Sequence, residues 1–253
     1  MVDTAPTRRE RQRHATLREI LEVSRELVAE PGGLSLRSVA QRMGITPPAL
    51  YRYVDSYQQL VELIAEDIDQ ENAVRLAEAR DQHPDDDPVA QILSAAIEFR
   101  RWALAHRGEF ALVFTNPVTA HEVTSEEMRK EQTGLVFTDL LMKIWHKYQF
   151  PVPAVDELDP GVVAALADPV IPVLPGQIPP DALGLMWVFT QSWAALYGTL
   201  TLEVFGHCDP RVIQSGALFR SMLESQGRNL GISAELERLQ PMVAPEALSM
   251  PRS

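Results

Sequence analysis

Between Ser35 and Tyr57 the chain gathers side chains suited to gripping a polyanion. Arg37 and Arg52 carry guanidinium forks that match a phosphate or a base edge with two parallel hydrogen bonds. Ser35, Thr46, Tyr51, Tyr53 and Tyr57 add hydroxyl groups, while Pro47 and Ala49 keep the surface between them low. Upstream, Arg8, Arg9, Arg11 and Arg13 form a polar arm that could neutralise phosphates or enter a minor groove. A merely solubilising tail is the plain alternative for that arm. Residues 1–53 hold nine Arg and no Lys against six acidic residues, a charge of +3. The remaining 200 residues hold 14 basic and 29 acidic residues, so a basic head precedes a body of charge −15.

Such side chains work only if short helices present them. Leu17, Ile20, Leu21, Ser24, Leu27 and Val28 recur at spacings of three and four and predict a first amphipathic helix, ended by Gly32-Gly33. Ser35 is a cap for a second helix with Leu36, Val39, Ala40 and Met43 inward, and Gly44 is placed to close it. Thr46 caps a third helix, with Pro47 and Pro48 where missing N–H groups cost nothing, running through Tyr53. A fourth starts at Ser56 and continues to about Arg80. Two short helices around a tight turn, the second with a small, polar and aromatic outer face, are what a helix-turn-helix requires. Taken singly, a Tyr or Arg on a helix is more often ordinary surface.

The whole string is more specific. Gly33-Leu-Ser-Leu-Arg-Ser-Val-Ala-Gln-Arg-Met-Gly-Ile-Thr-Pro-Pro-Ala-Leu-Tyr-Arg-Tyr-Val54 resembles the N-terminal DNA-binding domain of the TetR family, over roughly 15–64. The resemblance implies a transcriptional regulator, usually a repressor, that reads a two-fold operator in double-stranded DNA. It implies that Arg37 reads a base or grips phosphate, that Thr46, Ala49 and Arg52 face the groove, and that Tyr51 and Tyr53 hold the backbone. The family commonly starts its fourth helix with a phosphate-contacting lysine. Here Tyr57 stands in that region, with a hydroxyl but no charge.

The remainder also reads as helices, near 88–106, 109–115, 122–148, 160–167, 181–206 and 210–229, then a short helix and a frayed tail. Pro151 to Pro180 contains eight prolines and reads as a long ordered loop. The fold class is therefore all-α, with a helix-turn-helix domain at 1–60 and a helical effector-binding and dimerisation domain at 61–253. The segment 182–205 is apolar nearly all round, so it must be covered on more than one side. With the stripe that follows it, this fits the family's dimerisation through its last two long helices, near 181–206 and 210–229. Aromatic and sulfur-containing residues gather on the central helices, where plain core is their ordinary role. The resemblance adds a cavity for a small hydrophobic effector, expected to be lined by Trp102, Phe110, Phe114, Met142, Trp145, Trp187, Thr190 and Trp193, with Gln191 an alternative anchor and the proline-rich loop over its mouth.

Other chemistry finds little support. The single cysteine, Cys208, excludes an intramolecular disulfide and fits a reducing cytoplasm, and the Arg-rich start lacks a signal-peptide core. The uncharged stretch 182–202 is long enough for a membrane, but Thr190, Gln191, Ser192, Thr199 and Thr201 interrupt it and no Lys or Arg flanks it. The run Asp85-Asp86-Asp87 lacks calcium-loop spacing and reads as a solvated linker, and the scattered histidines suggest no metal site. No nucleophile elbow, phosphate loop or HExxH is present, so no catalytic residue, metal or cofactor is expected. The competing readings are a protein–protein interaction module, or a small-molecule-binding protein, with a vestigial DNA-binding head.

Overall fold

Thr7 sets the start of the first helix in a computed structural model that describes residues 7–30, 33–115, 132–166 and 182–249. Its Oγ1 accepts the Glu10 N–H at 3.3 Å, and the Glu10 carboxylate accepts the Thr7 N–H at 2.6 Å. This reciprocal capping box launches α1 (Arg8–Val28). The arginines expected on a polar arm therefore lie on a helix. A second box, between Ser35 and Ser38, opens α2 (Leu36–Arg42). Gly44 closes it at φ +68°, a left-handed conformation that a side chain resists. The third helix is shorter than its pattern suggests: α3 covers Pro47–Leu50. Beyond it, Arg52 and Tyr53 donate to carbonyls only three residues back, at Ala49 and Leu50, so the chain tightens into a turn.

The remaining helices are α4 (Tyr57–Arg80), α5 (Pro88–Ala105), α6 (Arg107–Phe114), α7 (Gln132–Tyr148), α8 (Pro160–Leu166), α9 (Leu183–Val204), α10 (Pro210–Gln214), α11 (Ala217–Asn229), α12 (Ser233–Arg238) and α13 (Pro245–Leu248). Two short 3₁₀ turns lie at Val155–Glu157 and Gln240–Val243. The protein is all-α. The first residues of the helix expected at 122–148, and 167–181 of the proline-rich stretch, lie outside the described residues. No helix among the described residues is long and apolar enough to cross a membrane.

The described residues within Met1–Asp69 and His106–His121 cluster as one compact unit, and those within Gln70–Ala105 and Glu122–Ser253 as a second. This differs from a division near residue 60, because α6 joins the head. Arg25 explains the attachment: it bonds Asp67 on α4 at 3.2 Å and Glu109 on α6 at 2.9 Å. Gly108 lets α6 approach α1, since a Cβ there would lie 3.1 Å from Val28 Cγ1. Ile20, Leu27, Val39, Ala40, Leu50 and Ile64 form the head's buried core.

In the second unit α5, α7 and α9 supply most of the core, and a buried cation organises its edge. Arg100 on α5 donates from Nε to Glu203 Oε2 at 2.6 Å, from Nη1 to the Leu248 carbonyl at 2.7 Å and from Nη2 to the Ile213 carbonyl at 2.6 Å. Its guanidinium also lies 5.5 Å from the centre of the Phe219 ring. Burial pushes the Glu203 carboxyl above its ordinary range, opposed by the hydrogen bond from Arg100. The helix expected at 210–229 is broken at Gly216, with φ +64°. Glycine also leaves room for Leu248 there, since a Cβ at 216 would sit 2.6 Å from Leu248 Cβ. The expected frayed tail is instead helical and turn structure up to Leu248, whose side chain is buried.

Two expectations follow for stability. Arg100→Met leaves Glu203 buried without its counter-charge and destabilises by about 3–5 kcal/mol, whereas Arg100→Met with Glu203→Leu recovers most of the loss. Urea denaturation followed by circular dichroism measures both; equal losses in single and double variants would contradict the account. Gly44→Ala carries only backbone strain, about 1–2 kcal/mol, because open space surrounds it. Gly216→Ala adds the collision with Leu248 and must lower the melting temperature further than Gly44→Ala does.

Candidate functional site

The head presents one uncommitted polar face. Val39, Ala40 and Leu50 turn inward, which leaves Arg37, Thr46, Pro47, Tyr51, Arg52 and Tyr57 exposed, and Ala49 and Tyr53 half-buried. Tyr51 is 51% exposed, unusual for so large a ring and outside any packing role. Ser35 differs from the others. Its hydroxyl already accepts the Ser38 N–H at 3.0 Å and lies 2.8 Å from the Ser38 hydroxyl, so its first task is to start α2. The Thr46 hydroxyl makes no cap bond to α3, which leaves it available outward. Arg42 is spoken for: Glu30 at 2.8 Å and Glu26 at 3.3 Å hold it across to α1.

At the start of α4, Ser56 Oγ accepts the Gln59 N–H at 3.0 Å, and Gln59 Oε1 accepts the Asp55 N–H at 2.5 Å. This local net fixes Tyr57 at the helix start with its ring 39% exposed. Arg8, Arg9 and Arg13 are exposed on α1. A helix about 10–12 Å across is wider than a minor groove of about 6 Å, so from α1 these arginines reach a phosphate or a groove by their side chains alone.

The second unit contains a cavity of about 160 Å³, walled by α5, α7, α9, α11 and α12. Of the residues expected to line it, Thr190 and Trp193 stand on its wall. Trp193 stacks on Phe99 at 6.3 Å, and Trp102 stacks behind Phe99 at 5.9 Å, one ring removed from the space. Met142 is core, Trp145 lies beside the His146 ring at 5.2 Å, and Trp187 is half-buried; none of the three reaches the cavity. Gln191 is exposed. Phe110 and Phe114 require correction, since α6 belongs to the head unit, where their rings meet at 5.2 Å.

Phe137, Phe189 and Gln226 line the space and went unselected. Helical spacing could have found the first two: Phe137 shares a face with Thr138 and Leu141, and Phe189 lies four residues before Trp193. Trp187, six residues before Trp193, points about 240° around the helix from it. The acidic run after α4 has structural duties: Asp87 caps α5 through the Ala90 N–H at 3.2 Å and accepts Arg238 at 2.9 Å. No group of three candidate metal ligands occurs among the described residues.

Comparison with known proteins bears on both units. Residues 92–226 match the family model described as tetracyclin repressor-like, C-terminal domain. The chain is 29% identical over 120 residues to the HTH-type transcriptional regulator Rv1816 of Mycobacterium tuberculosis strain H37Rv, covering 47% of this chain and 51% of the relative. The same figures hold for the HTH-type transcriptional regulator Mb1846 of Mycobacterium bovis. The chain thus spans about half the length of the curated relatives it matches. Its fold resembles the crystal structure of the regulatory protein SCO4313, with a TM-score of 0.62, 25% identity, and coverage of 87% of this chain and 98% of that one. The family model spans more than half of the sequence, and the chain belongs to the TetR family.

Proposed function

We propose that this protein is a DNA-binding transcriptional regulator: a homodimeric repressor that a small hydrophobic effector releases from a two-fold operator. The observation that carries the reading is the exposed face of α2, α3 and the following turn. Its inner side is fully packed, yet its outer side offers Arg37, Thr46, Tyr51 and Arg52 to solvent. Arg37 and Arg52 would supply base or phosphate contacts, Tyr51, Tyr53 and Tyr57 hydroxyl contacts to the backbone, and Pro47 and Ala49 the close approach. Ser35 would act mainly by positioning Arg37. Exposed Arg8, Arg9 and Arg13 would compensate for the missing charge at Tyr57 by neutralising phosphates.

A two-fold operator needs two recognition surfaces about 34–36 Å apart, hence two copies. The surface supporting dimerisation runs along α9 and into α10, where Leu202 and Phe205 are each 41% exposed and Val212 is 37% exposed. Burying such residues against a second copy is favourable by about 25 cal/mol per Å² of apolar surface. The cavity is the natural effector site. Its filling would favour a dimer whose recognition surfaces no longer match the operator, which requires the ligand to prefer that state.

Arg37→Ala and Tyr51→Ala should each weaken binding to duplex DNA from upstream of the protein's own gene by at least about tenfold, with helix content unchanged. Fluorescence anisotropy at fixed salt measures this; wild-type affinity in either variant would relocate the recognition surface or favour a vestigial head. Leu202→Arg should shift the chain to a smaller species in sedimentation and weaken DNA binding with it. An unchanged mass would remove α9 from the dimer interface.

A further inference from the structure

We infer that the cavity takes a neutral molecule of single-ring size, with one hydrogen-bonding substituent that Gln226 reads. This rests on the effector reading above and narrows it. None of the described lining residues is ionisable. A charged ligand would surrender its hydration there without meeting a counter-charge, and an anion would also approach a body of charge −15. The size is equally restrictive. About 160 Å³ is close to the roughly 150 Å³ of an engineered apolar cavity that holds benzene.

The walls suit a flat ring. Phe137 and Trp193 present two aromatic surfaces tilted by 49° with centres 6.1 Å apart, a geometry that offers a guest both a face and an edge. Polar options are few: among the described lining residues they are the Thr138, Thr190 and Ser192 hydroxyls and the Gln226 amide. The Thr190 and Ser192 hydroxyls donate back along their own helix, to Met186 O and Val188 O, each at 2.9 Å, so toward a ligand they can only accept. Gln226 brings both an NH₂ donor and a carbonyl acceptor, the pairing a ligand hydroxyl uses in full.

Part of the wall comes from residues beyond the matched family domain, which ends at 226. Leu230, Ile232 and Leu236 close that side, and Leu236 Cδ1 lies 2.0 Å from where a Cβ on Gly227 would stand. Gly227 thus allows Leu236 to press in and keep the space small. A segment outside the matched domain thus narrows the space, and Gln226 supplies an amide on its wall.

Calorimetric titration of the full chain at neutral pH, without DNA, tests this with four probes: toluene, benzyl alcohol, benzoate and benzylamine. Toluene and benzyl alcohol should bind, the alcohol about three- to tenfold tighter, as expected for one net hydrogen bond. Benzoate and the benzylammonium ion should bind at least about tenfold more weakly than the alcohol. Gln226→Leu should erase the alcohol's advantage and leave toluene binding intact, and Gln226→Glu should turn the preference toward benzylammonium. The inference is overturned if either ion binds as well as the alcohol, if no neutral probe binds, or if Gln226→Leu weakens toluene equally. Failure of the effector reading looks different: neutral probes would bind and the operator complex would persist. Release of DNA by benzoate would instead sink this inference and keep the effector.

Discussion

A guanidinium buried in an apolar interior must find hydrogen-bond partners, and Arg100 gives each of its three nitrogens one by drawing distant parts of the second unit together. Its hydrogen bonds reach a carboxylate on α9, a carbonyl on α10 and a carbonyl at the end of α13. Each is charge-assisted and short, and together they tie α9, α10 and α13 to α5. The consequence extends to the cavity. The stretch between α11 and α13 includes Ile232 and Leu236, so the same anchoring that satisfies Arg100 keeps one cavity wall in register. Asp87 adds a second tie by holding Arg238 at the end of α12.

The head follows a different logic. Its stability comes from ordinary apolar packing beneath three short helices, stapled by surface pairs such as Arg42 with Glu30 and the half-buried Arg25 with Glu109. That division leaves the outer face free to carry residues chosen for contact and not for folding. Arg37 and Tyr51 can sit in solvent because Val39 and Leu50, on the reverse side, do the packing. The second unit adds the reverse features: a charged pair, Arg100 and Glu203, lies buried, and two large apolar side chains, Leu202 and Phe205, reach the surface.

What the sequence revealed follows the range of the interactions. The helix-turn-helix was legible because its signals are local: a three- and four-residue periodicity, a capping serine, Gly44, and a proline pair. The apolar wrap of α9 was legible for the same reason. Thr7 and Glu10 also form a local signal, three residues apart, and reading an arm there overlooked it. The Arg100–Glu203 pair had no such signature, since its partners stand 103 residues apart and each looks like a surface charge in isolation. Phe110 and Phe114 were assigned by residue type, while their position was decided by Arg25 and Gly108, long-range partners on another face of the problem.

The tuck of Leu248 against Gly216 has a consequence in time. A chain emerges from the ribosome at about 5–20 residues per second, and its early segments can fold before its late ones exist. The head needs nothing later than α6, so its described core is complete once Phe114 has emerged. Arg100 emerges soon before, but one of its donors waits for a carbonyl 148 residues downstream. For several seconds the second unit carries an unfinished cation in an apolar setting, with the far wall of its cavity still unmade. Synthesis thus delivers the surface-bearing unit first and completes the unit with the cavity last.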